Sequence, residues 1–306
     1  MKLVNKAEAH VLYIADEGDV NEFGGTNGAA LSEPFTHASN IVVMFYGIFL
    51  VALIVLLFKK THSLRVKTQK IFLTALSYAD LVPWILRLSL GIALIGAGIN
   101  GWLISPTLTG FDIFSSAQIT FGFLLLSGFL TTFAVLGANL MFLLALSQNF
   151  YLLGSAEFFA MSLSLLALDG RRPGVDHLLA IPTLHFKEFK KWIPVILRIG
   201  IGTSFVFLAV YEKFLNPDLA IHVAEIANLS SVINVSPAMW VVSSGIIEFL
   251  LGAMFLFGFA VRACSAVATI ILALSFFYFG EDVTSHITLF GALSALFILG
   301  GKKLRF

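Results

Sequence analysis

Ile193-Pro194-Val195-Ile196-Leu197-Arg198 opens the stretch on which the reading of this chain turns. The apolar run that begins there carries Arg198 a few residues inside and closes on Glu212-Lys213-Phe214-Leu215-Asn216-Pro217. A polar connection follows, and a second apolar run then carries Glu248 in its interior and ends on Arg262. Runs of this length suit helices that cross a bilayer, and a charge kept in hydrocarbon needs a partner or a task. Arg198, Glu248 and Arg262 are therefore candidate ligand-binding residues, with Glu212 and Lys213 at the end of the first helix beside them.

The rest of the chain has the same character. Of its 306 residues 58% are hydrophobic and only 12% are charged, against about 25% charged in an average soluble domain. The shortage of charge is gathered into long apolar runs. These predict an all-α integral membrane protein with nine transmembrane helices: residues 41–58, then about 81–104, 118–136, 137–147, 152–168, 192–215, 239–260, 263–279 and 286–300.

Charge placement predicts orientation. Residues 1–40 form an acidic arm, with Glu8, Asp16, Glu17, Asp19, Glu22 and Glu33 against Lys2 and Lys6; a loosely ordered arm is preferred to a docking segment. No apolar core follows Lys2 and Lys6, so no secretory signal is expected and run 41–58 inserts first. Directly after it stand Lys59, Lys60, Arg65, Lys67 and Lys70 with no acid among them. Basic loops stay cytoplasmic, so residues 59–70, residues 169–191 and the tail with Lys302, Lys303 and Arg305 are expected inside. The expectation is a multi-pass plasma-membrane protein with its N-terminus outside and its C-terminus in the cytoplasm.

Several chemistries are excluded. A net charge of +1 argues against nucleic acid as a partner. Cys264 stands alone, so no intramolecular disulfide, CxxC pair, c-type haem or cysteine-ligated iron–sulfur cluster is expected. None of the seven histidines falls in the middle of a predicted span, which leaves no axial ligand for a buried haem. His222 and Glu225, three apart, read as a polar face in preference to a metal site. No cofactor is predicted in the chain itself.

The sequence also repeats. Pro83, Leu86, Arg87, Gly91 and Pro106 match Pro194, Leu197, Arg198, Gly202 and Pro217, all at the 111-residue offset that separates Arg87 from Arg198. Gln118, Gly122, Gly128 and Phe129 match Glu248, Gly252, Gly258 and Phe259 at the larger offset of 130 that separates Gly128 from Gly258. The extra length lies in the loop after Pro217, where Leu219, Val223, Ile226 and Ile233 predict an amphipathic helix on the outer surface. The domain reading is therefore the arm 1–40, a span 41–58, a basic linker 59–80, a first module 81–179, a linker 180–191 and a second module 192–306. Gly91, Gly96, Gly98 and Gly252 read as packing positions. Glu157, inside the fifth span, is read as a proton relay or as a neutral acid hydrogen-bonded between helices.

At these residues the chain resembles the DoxX family, whose module is a four-helix membrane bundle. The resemblance rests on Leu197-Arg198, Gly202, Lys213-Phe214, Pro217, Glu248-Phe249-Leu250-Leu251-Gly252 and Leu256-Phe257-Gly258-Phe259-Ala260-Val261-Arg262. It covers residues 192–301 well. Residues 81–179 match more thinly, through Arg87, Gly91 and Asp169-Gly170-Arg171-Arg172-Pro173-Gly174-Val175-Asp176, with Gln118 in place of the acid and Thr132 in place of the second arginine. Members include subunits associated with thiosulfate:quinone oxidoreductase and terminal quinol oxidase, and eukaryotic cargo receptors are related in fold. The resemblance implies a membrane, a bundle and, for some members, a quinone or quinol.

Two functional readings stay open. One is a quinone-linked redox subunit working with a protein partner that supplies the electron carrier; the other is a non-catalytic scaffold, assembly factor or cargo-type receptor. Whether the chain is an enzyme is left open, and small-molecule transport ranks third. In either reading the lipid bilayer is the first partner. Arg198 is expected to pair with Glu248, Arg87 to face Gln118, and Arg262 to serve as an anchor.

Overall fold

The computed structural model describes Ile41, Phe45 and residues 70–71, 73–109, 112–168, 174–182, 186–232, 234–281 and 283–300. The acidic arm, nearly all of the first span, the basic residues from Lys59 to Lys67, Ile233 and the tail with Lys302, Lys303 and Arg305 lie outside the described residues.

Between Val82 and Leu299 the chain is a membrane bundle. Helix α1 (Val82–Ile99) leads into a short antiparallel hairpin of β1 (Trp102–Leu103) and β2 (Ser105–Thr109). Helices α2 (Asp112–Ser127) and α3 (Thr131–Gln148) follow, then a 3-10 turn at Phe150–Ser155 that runs into α4 (Ala156–Ala167). After the short α5 (Val175–Leu178), α6 (Ile193–Leu208) continues as a π-helical segment, Ala209–Leu215. The last elements are α7 (Pro217–Ile226), α8 (Pro237–Phe257), α9 (Val261–Phe279) and α10 (Val283–Leu299).

Among the described residues six helical stretches are long and apolar enough to cross a bilayer, and two shorter apolar helices, Ile113–Ser127 and His286–Leu299, lie among them. The remaining predicted span, 41–58, falls outside the described residues apart from Ile41 and Phe45, both helical.

Local sequence accounts for the starts and stops. Pro83, Pro194, Pro217 and Pro237 sit in the first turns of α1, α6, α7 and α8, where a missing N–H costs nothing. Ser236 Oγ accepts a bond from Met239 N at 3.3 Å and caps α8. The third and fourth predicted spans are misplaced by several residues. The real break is Gly128-Phe129-Leu130, with φ of +64° at Gly128 and +47° at Leu130, a tight turn that contains no polar side chain. The run predicted to reach residue 104 ends at Ile99, because the hairpin takes over.

Four helices form the middle of the bundle. The rows Val82, Leu86, Leu90 and Leu94 of α1, Ile193, Leu197 and Ile201 of α6, and Leu293 and Leu296 of α10 have no exposed surface, and neither has Met161 of α4. Helix α1 packs against α2 on one side and α10 on the other, and α6 packs against α8 and α4. Helices α3 and α9 are outermost. Their outward rows, Leu136, Leu140, Leu143 and Leu144 on α3 and Val267, Ile270, Ile271 and Leu274 on α9, are exposed as lipid-facing surfaces are.

The two central crossings are close. A Cβ on Gly91 of α1 would stand 2.9 Å from Gly122 O of α2, and one on Gly202 of α6 would stand 2.9 Å from Gly252 O of α8. No side chain larger than hydrogen fits at either crossing without separating the helices.

Helix α7 lies across the end of α8. Leu219, Ala220, Val223 and Ala224 of α7 pack with Val241 of α8. Leu219 and Val223 are thus on the apolar face as expected, but Ile226 is 65% exposed and does not share that face.

Candidate functional site

The bundle has an arginine end, with Arg87, Arg198 and Arg262, and a carboxylate end, with Glu157, Glu212, Glu248 and Glu281. At the carboxylate end Lys213 Nζ lies 3.1 Å from Glu248 Oε2 and 3.5 Å from Glu212 Oε2. The Tyr151 hydroxyl donates to Glu212 Oε1. Tyr151 is held for this bond between rings, edge-on to Phe207 at 5.6 Å and to Tyr211 at 5.0 Å.

The π segment explains how Glu212 and Lys213 both come inside. Neighbours on a regular helix diverge by about 100°, yet Glu212 is fully buried and Lys213 nearly so. A widened turn of this kind often marks a functional position. Glu248 reaches the pair from α8, and its side chain keeps 21% exposure. Its chain neighbours Ile246, Ile247, Phe249 and Leu250 are exposed, while Gly245, Leu251 and Gly252, on its own face of the helix, are buried, so Glu248 stands at the edge between the packed and the exposed sides of α8.

A second group adjoins it. Glu157 Oε2 lies 2.6 Å from Ser204 Oγ of α6, and Glu157 Oε1 accepts from Thr288 Oγ1 of α10 at 2.9 Å. His286 Nδ1 meets Glu281 Oε2 at 2.8 Å, and His286 lies within electrostatic range of both Glu157 and Glu248. The carboxylate end is thus a polar network spread over α4, α6, α8 and α10 within an apolar bundle. Glu157 thus joins α4 to α6 and α10 by hydrogen bonds.

The expected Arg198–Glu248 pair does not form. Arg198 Nη1 points to Phe255 O at 3.4 Å, and Phe255 is seven residues past Glu248, roughly 10 Å along α8. The guanidinium follows its own end of the bundle, which is nearer to interface and carbonyl groups than the hydrocarbon centre. Lys213, from the opposite end of the same helix, takes the place expected of it.

Arg87 and Gln118 do not meet either. Gln118 has no exposed surface; its Nε2 donates to Trp102 O at 2.6 Å and its Oε1 accepts from Ile104 N at 3.0 Å. Both ends of the amide serve the hairpin. Arg87, 1% exposed, lies against Gly128 and is attracted by Asp176. Asp176 in turn accepts from Leu130 N at 2.7 Å and Thr131 N at 2.8 Å, capping α3.

Arg262 donates to Phe297 O and Ile298 O, each at 3.0 Å, and so holds the last turn of α10, where a cation complements the helix dipole. Sequence reasoning missed Tyr151, Ser204, His286 and Thr288 as members of the network, and Asp176 as the capping acid.

The DoxX family model matches residues 193–281, from the first residue of α6 to Glu281 before α10. That segment contains Arg198, Glu212, Lys213, Glu248 and Arg262. No curated protein and no solved structure matches the chain.

Proposed function

From a DoxX segment that carries Lys213 between two carboxylates, we propose that the chain is the membrane subunit of a quinone-linked redox system, with the carboxylate end facing the extracytoplasmic side. The observation that supports this is the Glu212–Lys213–Glu248 triad, in which Glu248 keeps partial exposure. A lipid-soluble quinol supplies the redox chemistry when bound: its oxidation releases two protons and passes two electrons to a carrier on a partner subunit. The chain's own part is binding and proton handling. Glu248 accepts a hydroxyl hydrogen bond from the head group at the lipid-facing side, and Lys213 holds the carboxylate in place. Glu212, tied to Tyr151, takes the second position. Glu157, with Ser204 and Thr288, provides a further acid towards the middle of the bundle. On this reading residues 81–179 form a supporting module of the same kind, in which Gln118 replaces the acid.

The test is lipid extraction of the purified full-length protein beside its Glu248→Gln variant. Wild type is expected to carry quinone or quinol, or to take up an added short-chain quinol, and E248Q to lose at least about tenfold of it at normal folded yield. Equal ligand in both proteins removes Glu248 from the function. A wild type that neither carries nor takes up quinol, and purifies with a stoichiometric protein partner, points to the scaffold reading. That second reading has its own support in Gln118 and Glu157, whose bonds all serve to join elements.

A further inference from the structure

The connection between α4 and α6 is pinned to the arginine end of the bundle at two places. Asp176 of α5 has no exposed surface. Its carboxylate holds Leu130 N and Thr131 N, its own N–H donates to Gly128 O at 2.8 Å, and its carbonyl accepts from Ile181 N at 2.9 Å. Further on, Phe186 N donates to Leu166 O in the last turn of α4, and Phe189 N donates to Phe186 O, each at 2.9 Å. The rings of Phe186 and Phe189 meet edge-on at 6.3 Å. The 3-10 turn Lys187–Trp192 then runs into α6.

Fixed in this way, the connection turns large apolar side chains outward. Leu178, Leu179, Phe186 and Phe189 are each more than half exposed, and they lie beyond the ends of α4 and α6, Ala167 and Ile193. Cations stand beside them: Lys190 and Lys191 are exposed, with Glu188 as the exposed acid among the described residues there. Between residues 169 and 191 the sequence sets Arg171, Arg172, Lys187, Lys190 and Lys191 against Asp169, Asp176 and Glu188, and Asp176 is already engaged beside Arg87. The first module carries the aromatic residue without the lysines. Tyr78, also exposed, precedes Pro83 by as many residues as Phe189 precedes Pro194, with Ala79 and Asp80 where Lys190 and Lys191 stand.

We propose that this face is a foot resting on an anionic lipid surface, with Leu178, Leu179, Phe186 and Phe189 in the boundary between headgroups and acyl chains and Lys190 and Lys191 at the phosphates. A membrane bundle meets the headgroup layer where its helices end, so lipid is the first apolar partner within reach of these residues. The backbone bonds of Asp176 and Phe186 keep them from folding inward, and in water all four would stay exposed at a cost. Apolar side chains sunk about 5–10 Å into the headgroup boundary, with lysines beside them, are what an interfacial element presents to acidic lipid. Aromatic residues gather at that level, and Tyr78 and Phe189 mark it ahead of the first helix of each module. The lysines distinguish the second foot from the first, and each adds its own attraction to an anionic surface. The foot lies at the opposite end of the bundle from the Lys213 triad, so it stands or falls independently of the quinol reading.

Fluorescence of the full-length protein in nanodiscs holding one copy each tests it. An environment-sensitive fluorophore is attached at Leu179→Cys or Phe189→Cys, both exposed positions; Cys264, which is buried, stays in place, and the unsubstituted protein treated alike gives the blank. In discs of phosphatidylcholine mixed with phosphatidylglycerol, emission is expected to lie to the blue of a water-exposed label. It should fall by about half when nitroxide-bearing lipid is included. Discs of phosphatidylcholine alone should quench less, and Lys190→Gln with Lys191→Gln should bring the mixed discs down to that lower value. Emission of a water-exposed label overturns the proposal. A blue-shifted label that lipid nitroxide leaves unquenched overturns it as well, since protein then covers the face. So does quenching that is equal with and without phosphatidylglycerol, or undiminished in the double variant, because the surface would then not select acidic lipid.

Discussion

Lys213 is the residue on which the carboxylate end depends. It stands between Glu212, fully buried, and Glu248 at 21% exposure. Removing one member of a buried ion pair costs about 3–5 kcal/mol because the opposite charge is left without compensation; partial exposure of Glu248 places the expected loss at the low end. Lys213→Met should lower thermal stability by about 3 kcal/mol, and adding Glu248→Gln should restore part of it. Equal stability of K213M and wild type in a detergent melt would show that the triad is not a coupled unit. Asp176 invites the parallel test. Asp176→Ala strips the cap from α3 and withdraws the negative charge beside Arg87, so a loss of about 3 kcal/mol is expected. A melt unchanged by that substitution would contradict the role given to Asp176. At this scale the sequence was readable in part. Glu212, Lys213 and Glu248 stand out as charges in apolar runs, but the sequence pairs Glu248 with Arg198, the charge inside the preceding run. The π segment and the 61-residue separation of Tyr151 from Glu212 leave no local mark.

At the scale of elements, the helices follow from apolar runs and first-turn prolines, and the misplaced ones share a cause. Gly128-Phe129-Leu130 and Gly258-Phe259-Ala260 reverse the chain without a polar side chain, since glycine and a left-handed backbone do the turning. The second is flanked by Arg262, a charge that marks the end of the apolar run; the first has Thr132 there, and the apolar run reads on through it. The hairpin has no mark of its own in the sequence, because Ile104-Ser105-Pro106 reads as the end of a span. The glycine crossings carry a sharper consequence. A Cβ on Gly252 would stand 2.8 Å from Val206 N and 3.0 Å from Gly202 O, backbone atoms that cannot turn aside. Gly252→Ala should therefore push α8 off α6 and cost about 1–3 kcal/mol, with loss of Lys213–Glu248 registry. Gly91→Ala should cost a similar amount at the α1–α2 crossing and leave the triad in place. If G252A melted as wild type does, the α6–α8 crossing would not be the close backbone contact described above.

The whole molecule is held by an exchange that no local pattern announces. Helix α4, last long helix of the first half, packs chiefly on α6, first of the second half; α10, last of the second half, packs chiefly on α1, first of the first. Each half therefore completes the other's central layer. Glu157 of α4 is bonded by Ser204 of α6 and Thr288 of α10, and Gly154 and Gly200 sit close to Leu208 and Ala160 across the same boundary. Expressed alone, either half would leave one face of its first and last helices without its partner, and Glu157 or its two hydroxyls without theirs. Lipid can cover an apolar face but cannot satisfy the acid. The expected result is that residues 1–182 and 183–306 fail separately in detergent extraction. Co-expressed, they should purify as a one-to-one complex, because the break falls between α5 and the turn before α6 and interrupts no helix. Substituting Glu157→Leu in the first piece should weaken that complex more than it weakens the unbroken chain, where covalent connection keeps the halves together at high effective concentration. A first piece that folds and remains monomeric by itself would mean that the halves are independent bundles in contact, and that the shared layer of α1, α4, α6 and α10 is not what makes the molecule one body.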